Sequence, residues 1–108
     1  MKPIKFRIFN YHSNKIQIPN EIDIGHYLFG ADGIDVMEYI GRKDRNGIEI
    51  YENDIIVNHG EYKSKATVKW CDLLLGFYMD GPAIMYFIDC ESNDLEVIGN
   101  TYLSANLL

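Results

Sequence analysis

Several features that would point to a particular class of protein are scarce in this chain. Its 108 residues include only 2 cysteines, 3 prolines and 1 tryptophan. No apolar run approaches the roughly 20 residues that a membrane-spanning helix needs. The opening residues MKPIKFR do not lead into the apolar segment of a signal peptide. We therefore expect a cytoplasmic protein, without membrane association, whose thiols stay reduced.

Motifs for common catalytic and cofactor chemistry are also absent. The sequence has no G-x-x-x-x-G-K-[ST], G-x-G-x-x-G, G-x-S-x-G or H-E-x-x-H pattern. Cys71 and Cys90 do not have the spacing of metal ligands, and His12, His26 and His59 lie in separate segments. We therefore expect no cofactor, no metal and no catalytic residues.

Basic residues are missing from the last third of the chain. The 10 Lys and Arg against 16 Asp and Glu give a net charge of -6, which opposes binding to a phosphate backbone. No Lys or Arg follows Lys69, whereas six acids do: Asp72, Asp80, Asp89, Glu91, Asp94 and Glu96. This pattern fits either a solvated face or a surface for a basic partner, including a mimic of nucleic acid charge.

Two other functions deserve comparison with protein binding. A nucleic-acid-binding barrel would use the basic residues Arg42, Lys43, Arg45, Lys63, Lys65 and Lys69. A small hydrolase would use paired acids among Glu49, Glu52 and Asp54. Glu52 and Asp54 are predicted to lie in an exposed turn, where such oxygens accept backbone N–H bonds, so a structural role is favoured.

What the sequence does contain is alternation of apolar and polar residues. This alternation predicts a hairpin over 4–9 and 16–18, then strands over 36–40, 48–51, 55–57, 65–71, 76–79, 83–88 and 95–98. Residues 20–33 are expected to form a long connection, and 100–108 a short helical turn. Ala66, Val68 and Trp70 share a face, so Trp70 is expected to anchor the core. Short strands joined by turn residues indicate a barrel or sandwich that is mainly β.

One predicted strand is apolar on both faces. Ile84, Tyr86 and Ile88 would form one face, with Met85 and Phe87 on the other. A monomer would expose one of these faces to water, which favours a homo-oligomer or a protein partner. Together with nearby acids, the candidate interface comprises Ile84, Tyr86, Ile88, Asp89, Glu91, Asp94 and Glu96.

The strongest local pattern is YIGRKDRNGIEIYENDIIV at residues 39–57. Its turn and core residues give a structural motif: Gly41, Asp44, Asn46, Gly47, Tyr51, Asn53 and Asp54. Asn and Gly tolerate positive φ, which predicts one turn at Asn46-Gly47 and a second at Asn53-Asp54.

This segment resembles the signature of the YopX family of phage and prophage proteins, which runs roughly YTGLKDKNGKEIYEGDIV. The opening IKFR at 4–7 and the segment EVIGN at 96–100 also resemble the family. Phe9 replaces a common Trp of the family, and Asn53 replaces its Gly before the turn acid. Both are tolerable, since Phe still fills a core site and Asn still visits positive φ.

The resemblance implies an SH3-like β-barrel with an N-terminal β-hairpin subdomain and oligomeric assembly. It also implies a single YopX-like unit over 1–108, with hairpin and connection over about 1–35 and the barrel over about 36–108. It carries no biochemical activity with it. We therefore expect a non-enzymatic accessory protein of a phage or prophage, in the cytoplasm of a bacterial host, that binds an unidentified host or phage protein and modulates host machinery or defence through an acidic surface.

Overall fold

A computed structural model describes residues 4–18, 33–60 and 63–107, and the predicted connection over 20–33 lies outside them except for Gly33. The described residues are mainly β, as predicted. The strands are β1 Phe6–Asn10, β2 Lys15–Gln17, β3 Ile34–Lys43, β4 Glu49–Tyr51, β5 Asp54–Asn58, β6 Ser64–Cys71, β7 Gly76–Asp80, β8 Ile84–Tyr86 and β9 Leu95–Asn100. Short 3-10 helices occupy Phe87–Asp89, Ser92–Asp94 and Ala105–Leu107.

The strands form two antiparallel sheets. The first has the order β2-β1-β3-β4, and the second, which curls into a half-barrel, has the order β8-β7-β6-β5-β9. The long strand β3 pairs with β1 through Ile34–Glu38 and with β4 through Tyr39 and Lys43. The register shifts between those last two residues, where Gly41 has a φ of 92°. A bulge at this glycine bends the strand as it passes from one partner to the other.

The described residues form two hydrophobic clusters, and β4 contributes to both, through Ile50 and Tyr51. The cluster of the half-barrel contains Ile50, Ile56, Ala66, Val68, Met79, Phe87 and Leu95. The other cluster contains Phe9, Met37, Tyr39 and Tyr51, with Ile16 and Tyr102 packed against it. Alternation along the strands thus placed most apolar residues on the correct face, and the hairpin of β1 and β2 is confirmed.

The prediction that Trp70 anchors the core is wrong. Its side chain is 42% exposed, whereas Ala66 and Val68 on the same strand are buried. Trp70 packs edge-on against Phe77, with ring centroids 5.0 Å apart, and its indole N–H donates to Asp72 at 2.6 Å. Trp70 lies at the end of β6, beyond the buried cluster. Lying on the same strand face as buried residues is therefore not sufficient for a side chain to be buried.

The predicted strand over 83–88 ends at Tyr86 and continues as a 3-10 helix. This helix turns Phe87 inward, and Phe87 is 8% exposed. Both cysteines are free thiols. No helix among the described residues is long and apolar enough to cross a membrane.

Candidate binding surface

The acids of the 39–57 motif have structural roles, and Asp44 organises the first turn. Its carboxylate accepts the N–H groups of Asn46, Ile48 and Val97 at 2.8–2.9 Å. Burial alone would raise the pKa of Asp44, but these N–H groups together outweigh it and the pKa is lowered. The positive φ predicted for the turn is found at Gly47, at 78°. Asp44 therefore joins the β3–β4 turn to β9.

Asp54 is buried rather than exposed, which corrects the sequence prediction. Only 1% of it is accessible, because Arg7 reaches across from β1 and lies 2.5 Å from its Oδ1. Its Oδ2 accepts the N–H of Tyr51 at 2.8 Å, and Arg7 lies over the Tyr51 ring. Burial raises the pKa of Asp54 despite Arg7. Asn53 beside it adopts the predicted positive φ, at 66°.

The other two acids of the hydrolase hypothesis are also engaged in the fold. Glu52 accepts the backbone N–H of Glu38 at 2.9 Å, and Glu49 pairs with Lys5 at 2.5 Å. Neither cavity described below is lined by Glu49, Glu52 or Asp54. Among the described residues, no group of three or more His, Cys, Asp or Glu is placed to hold a metal ion.

Most of the basic residues of the nucleic-acid hypothesis are bound to other groups of the fold. Arg42 donates to the carbonyl oxygens of Phe87 and Cys90 and to the Ser92 hydroxyl, so it holds the segment after β8 in place. Arg45 donates to the carbonyl oxygen of Asn93. Lys69 pairs with Asp80, and Lys65 donates to the carbonyl oxygen of Leu107. Lys43 and Lys63 are exposed in different parts of the chain.

Three of the predicted interface residues form an exposed apolar row beside acids. Ile84 is 60% exposed, Tyr86 43% and Ile88 92%. Met85, on the opposite face, packs against the core. Asp89 follows Ile88 in the chain, and Asp94 lines the same cavity as Ile84, Tyr86 and Asp89. We call Ile84, Tyr86, Ile88, Asp89 and Asp94 the β8 surface.

The shared cavity has a volume of about 290 Å³. It is lined by Asn58, Gly60, Ile84, Met85, Tyr86, Asp89, Cys90 and Asp94. The Asn58 amide donates to the sulfur atoms of Met85 and Cys90, at 3.5 and 3.7 Å, which fixes the Asn58 side chain. Its Oδ1 accepts the Gly60 N–H at 2.9 Å. Burial raises the pKa of the Cys90 thiol, which keeps it protonated.

A second, apolar cavity adjoins the first at Tyr86. It measures about 560 Å³ and is lined by Leu74, Gly76, Phe77, Tyr86, Phe87 and Ile88. The β6–β7 turn next to it exposes three consecutive leucines, with Leu73 at 95%, Leu74 at 59% and Leu75 at 78%. We call residues 73–75 the leucine turn.

Two predicted interface residues lie outside both cavities. Glu91 is exposed and its carbonyl oxygen accepts the Asp94 N–H. Glu96 lies 2.9 Å from the Nε2 of His59. The sequence reasoning missed the leucine turn and Asn58. The signal that could have identified this turn is the run of three leucines between Asp72 and Gly76, at a point where the chain reverses between two strands.

Comparison with known proteins places the fold and the family. The model of the YopX protein family matches residues 5–108. The crystal structure of protein EF1440 from Enterococcus faecalis superposes with a TM-score of 0.69 at 18% identity, covering 100% of this chain and 99% of that one. At this identity the likeness extends to the fold alone. Among curated proteins, none matches this chain. The chain therefore belongs to the YopX family.

Proposed function

We propose that the chain is a non-enzymatic phage or prophage protein that binds another protein through its β8 surface in the bacterial cytoplasm. The observation that carries this proposal is the exposed row of Ile84, Tyr86 and Ile88 beside an acidic cavity. Burying a large apolar side chain stabilises a complex by about 1.5–3 kcal/mol. A row of three, joined to an apolar cavity, is sufficient to offset much of the cost of association.

The partner we propose has apolar anchors flanked by basic side chains. Asp89 and Asp94 line the cavity together, and no Lys or Arg is among its lining residues. Charge complementarity of this kind directs encounter and excludes wrong partners. A second copy of this chain fits this surface less well, because it would bring two pairs of aspartates together. The homo-oligomer predicted from the sequence is thus an alternative outcome of the test.

The leucine turn supports the same role. Leu75 adopts a φ of 50°, which Gly or Asn adopts more readily. Its side chain is 78% exposed, so it gains little from packing in the free chain. Burial of Leu75 by a partner would explain why a strained backbone position beside an apolar cavity carries an exposed leucine.

We also infer that the half-barrel has SH3-like connectivity, as the resemblance implied. The curled five-stranded sheet supports this inference. The helical turn predicted at the C-terminus is likewise a proposal here. It is supported by the 3-10 helix Ala105–Leu107 and by Asn100, whose side chain accepts the N–H groups of Tyr102 and Leu103.

Capture from host cells, followed by binding of the purified pair, tests the proposed function. We expect the captured protein to bind the purified chain directly and to bind Ile84→Ser and Ile88→Ser variants at least roughly tenfold more weakly. Ile18→Ser is the matched control, because Ile18 is 69% exposed but lies beside the N-terminal hairpin. Equal loss with all three variants, or loss with none, would contradict the proposal.

Light scattering on the same variants distinguishes binding of a different protein from self-association of this chain. A wild-type dimer that becomes a monomer in the Ile84→Ser and Ile88→Ser variants would assign the β8 surface to a second copy instead. A monomer throughout, with partner binding lost in these variants, supports a different protein as the occupant.

A further inference from the structure

We propose that the partner binds as an extended strand along the free edge of β8, with a basic side chain held between Asp89 and Asp94. This inference rests on the proposed function and specifies how the β8 surface recognises its partner. Addition of a strand to a sheet edge supplies main-chain hydrogen bonds, while pockets beside the edge select particular side chains.

The two edges of the curled sheet differ in a way that favours this mode. At the β9 edge, the N–H of Arg45 donates to the carbonyl oxygen of Leu95 at 2.9 Å. On the same strand, the N–H of Val97 donates to the carboxylate of Asp44 at 2.9 Å. The β3–β4 turn therefore covers this edge with the side chain and backbone of the family motif.

The β8 edge has no such cover among the described residues. There β8 pairs with β7 alone, through Ile84, Met85 and Tyr86, without a shift in register. Exposed edges are usually blunted by lysine, proline, an inward charge or a bulge, none of which β8 contains, or by being very short, as β8 is with 3 residues. The strand is short, so it suits a short segment of a partner rather than a broad sheet.

The acidic cavity opens beside this edge. Ile84, Met85 and Tyr86 belong both to β8 and to the cavity lining, so one extended segment can contact the edge and the cavity at once. A Cβ on Gly60 would lie 3.0 Å from Asn58 Oδ1 and 3.6 Å from Asp94 Oδ2. Both acceptors therefore lie near Gly60, and a side chain at that position would crowd them.

The polar groups of the cavity favour a cation, whereas most of its lining surface is apolar. Asn58 Oδ1, Asp89 and Asp94 offer acceptors, and the Asn58 amide donors are directed to Met85 and Cys90 instead. Arginine and lysine carry donors only, and charge-assisted bonds to carboxylates are roughly twice as strong as neutral ones. A partner strand with an arginine or lysine at one position, and apolar residues on either side, matches this arrangement.

Binding of synthetic peptides tests this mode directly. The probes are short, end-blocked peptides of alternating valine and threonine, each with one arginine at a different central position. We expect one position to bind best, with shifts in the amide NMR signals of Ile84, Met85 and Tyr86. Replacing the arginine of that peptide by glutamate should weaken binding by at least about tenfold.

Two matched sets of controls separate the strand mode from simple charge attraction. N-methylation of the peptide N–H groups that face β8 should abolish binding, because the edge bonds are lost while the charge is unchanged. Asp89→Asn and Asp94→Asn should each weaken binding, whereas Glu91→Gln should not, since Glu91 lies outside the cavity. Equal weakening by all three variants would overturn the proposed acidic pocket.

Failure of this inference is distinguishable from failure of the proposed function. If every peptide fails, or the N-methylated peptide binds as well as its parent, the strand mode is wrong. A protein partner that still requires Ile84 and Ile88 would then bind as a folded surface, and the proposed function would stand. If neither peptides nor any protein depend on those isoleucines, both proposals are overturned.

Discussion

The acids of the β3–β5 motif and the acids beside β8 belong to the same residue types but have opposite environments. Asp44 and Asp54 are 5% and 1% exposed, and both accept backbone N–H groups. Asp89 and Glu91 are exposed, and no described side chain forms an ion pair with either. Carboxylates of the first kind stabilise turns and join strands, whereas those of the second kind are available to a partner.

This difference shows why the family motif does not reveal the function. The signature over 39–57 consists of a bulge at Gly41, two turns, and the acids that bind those turns. A sequence pattern with these members specifies a fold, and fold alone does not imply function. The candidate binding surface lies in the last third of the chain, where the resemblance rests on a shorter match.

The largest expected effect is on the buried pair that joins the two sheets. Asp54→Ala would leave the Arg7 guanidinium without its carboxylate in a part-buried site, where side chains are 12% and 1% exposed. We expect the free energy of unfolding in urea to fall by roughly 3–5 kcal/mol. The control is Glu49→Ala, which breaks the more exposed pair with Lys5 and should cost about 1 kcal/mol or less. Similar losses for the two variants would contradict this contrast.

The two buried aspartates should respond to pH with opposite signs. The pKa of Asp44 is lowered, so its contribution to stability is present above pH 3.8 and is lost as the pH falls through its folded-state pKa. At neutral pH, Asp44→Asn should therefore cost about 1–2 kcal/mol, and this cost should shrink in acid.

For Asp54, the free energy of unfolding should change with pH in the opposite direction. Its pKa is raised by burial, so the folded state retains a proton that the unfolded state releases. Relative to Asp54→Asn, the wild type should lose stability as the pH rises from 3.8 through the folded-state pKa. Urea unfolding at a series of pH values measures both slopes, and slopes of the same sign would contradict the assigned environments.

Strands and turns could be predicted from the sequence because they depend on local patterns. Alternation located β1, β6, β7 and β9, and Asn-Gly and Asn-Asp located the two turns. The exposure of Ile84 and Tyr86 follows from the same kind of pattern, since residues two apart in a strand share a face, whereas Ile88 lies in the 3-10 helix after β8. These properties need no knowledge of which strands are neighbours.

Properties that depend on tertiary neighbours could not be predicted. Asp54 was expected in an exposed turn because nothing local indicates that Arg7, 47 residues earlier, would cover it. Trp70 was expected in the core because alternation gives a face but not the extent of the cluster beneath it. The acidic cavity also needed the structure, since it combines Asn58 on β5 with residues after β8.

A smaller effect should separate stability from binding at the leucine turn. Leu75→Asn places a residue that tolerates positive φ at a backbone φ of 50°. We expect the free energy of unfolding to rise by about 0.5–1 kcal/mol, because the strain is relieved and little packing is lost. Partner binding should weaken in the same variant. A loss of stability would show that Leu75 already packs in the free chain.

The smallest expected effect on stability comes from the acids of the β8 surface. Asp89→Asn and Asp94→Asn remove charge at the surface without breaking any described ion pair, so each should change the free energy of unfolding by less than about 0.5 kcal/mol. Partner binding should nevertheless fall, mainly through faster dissociation, because the charge-assisted bonds to the partner's basic side chain are lost. In the Asp89 and Asp94 variants, partner binding should therefore fall without a matching loss of folding stability. In the Asp44 and Asp54 variants, binding should fall only in proportion to the fraction of protein that is unfolded. If Asp89→Asn destabilised the fold as much as Asp54→Ala does, the acids of the β8 surface would have a structural role like that of Asp54. This result would contradict the proposal that the β8 surface binds a partner.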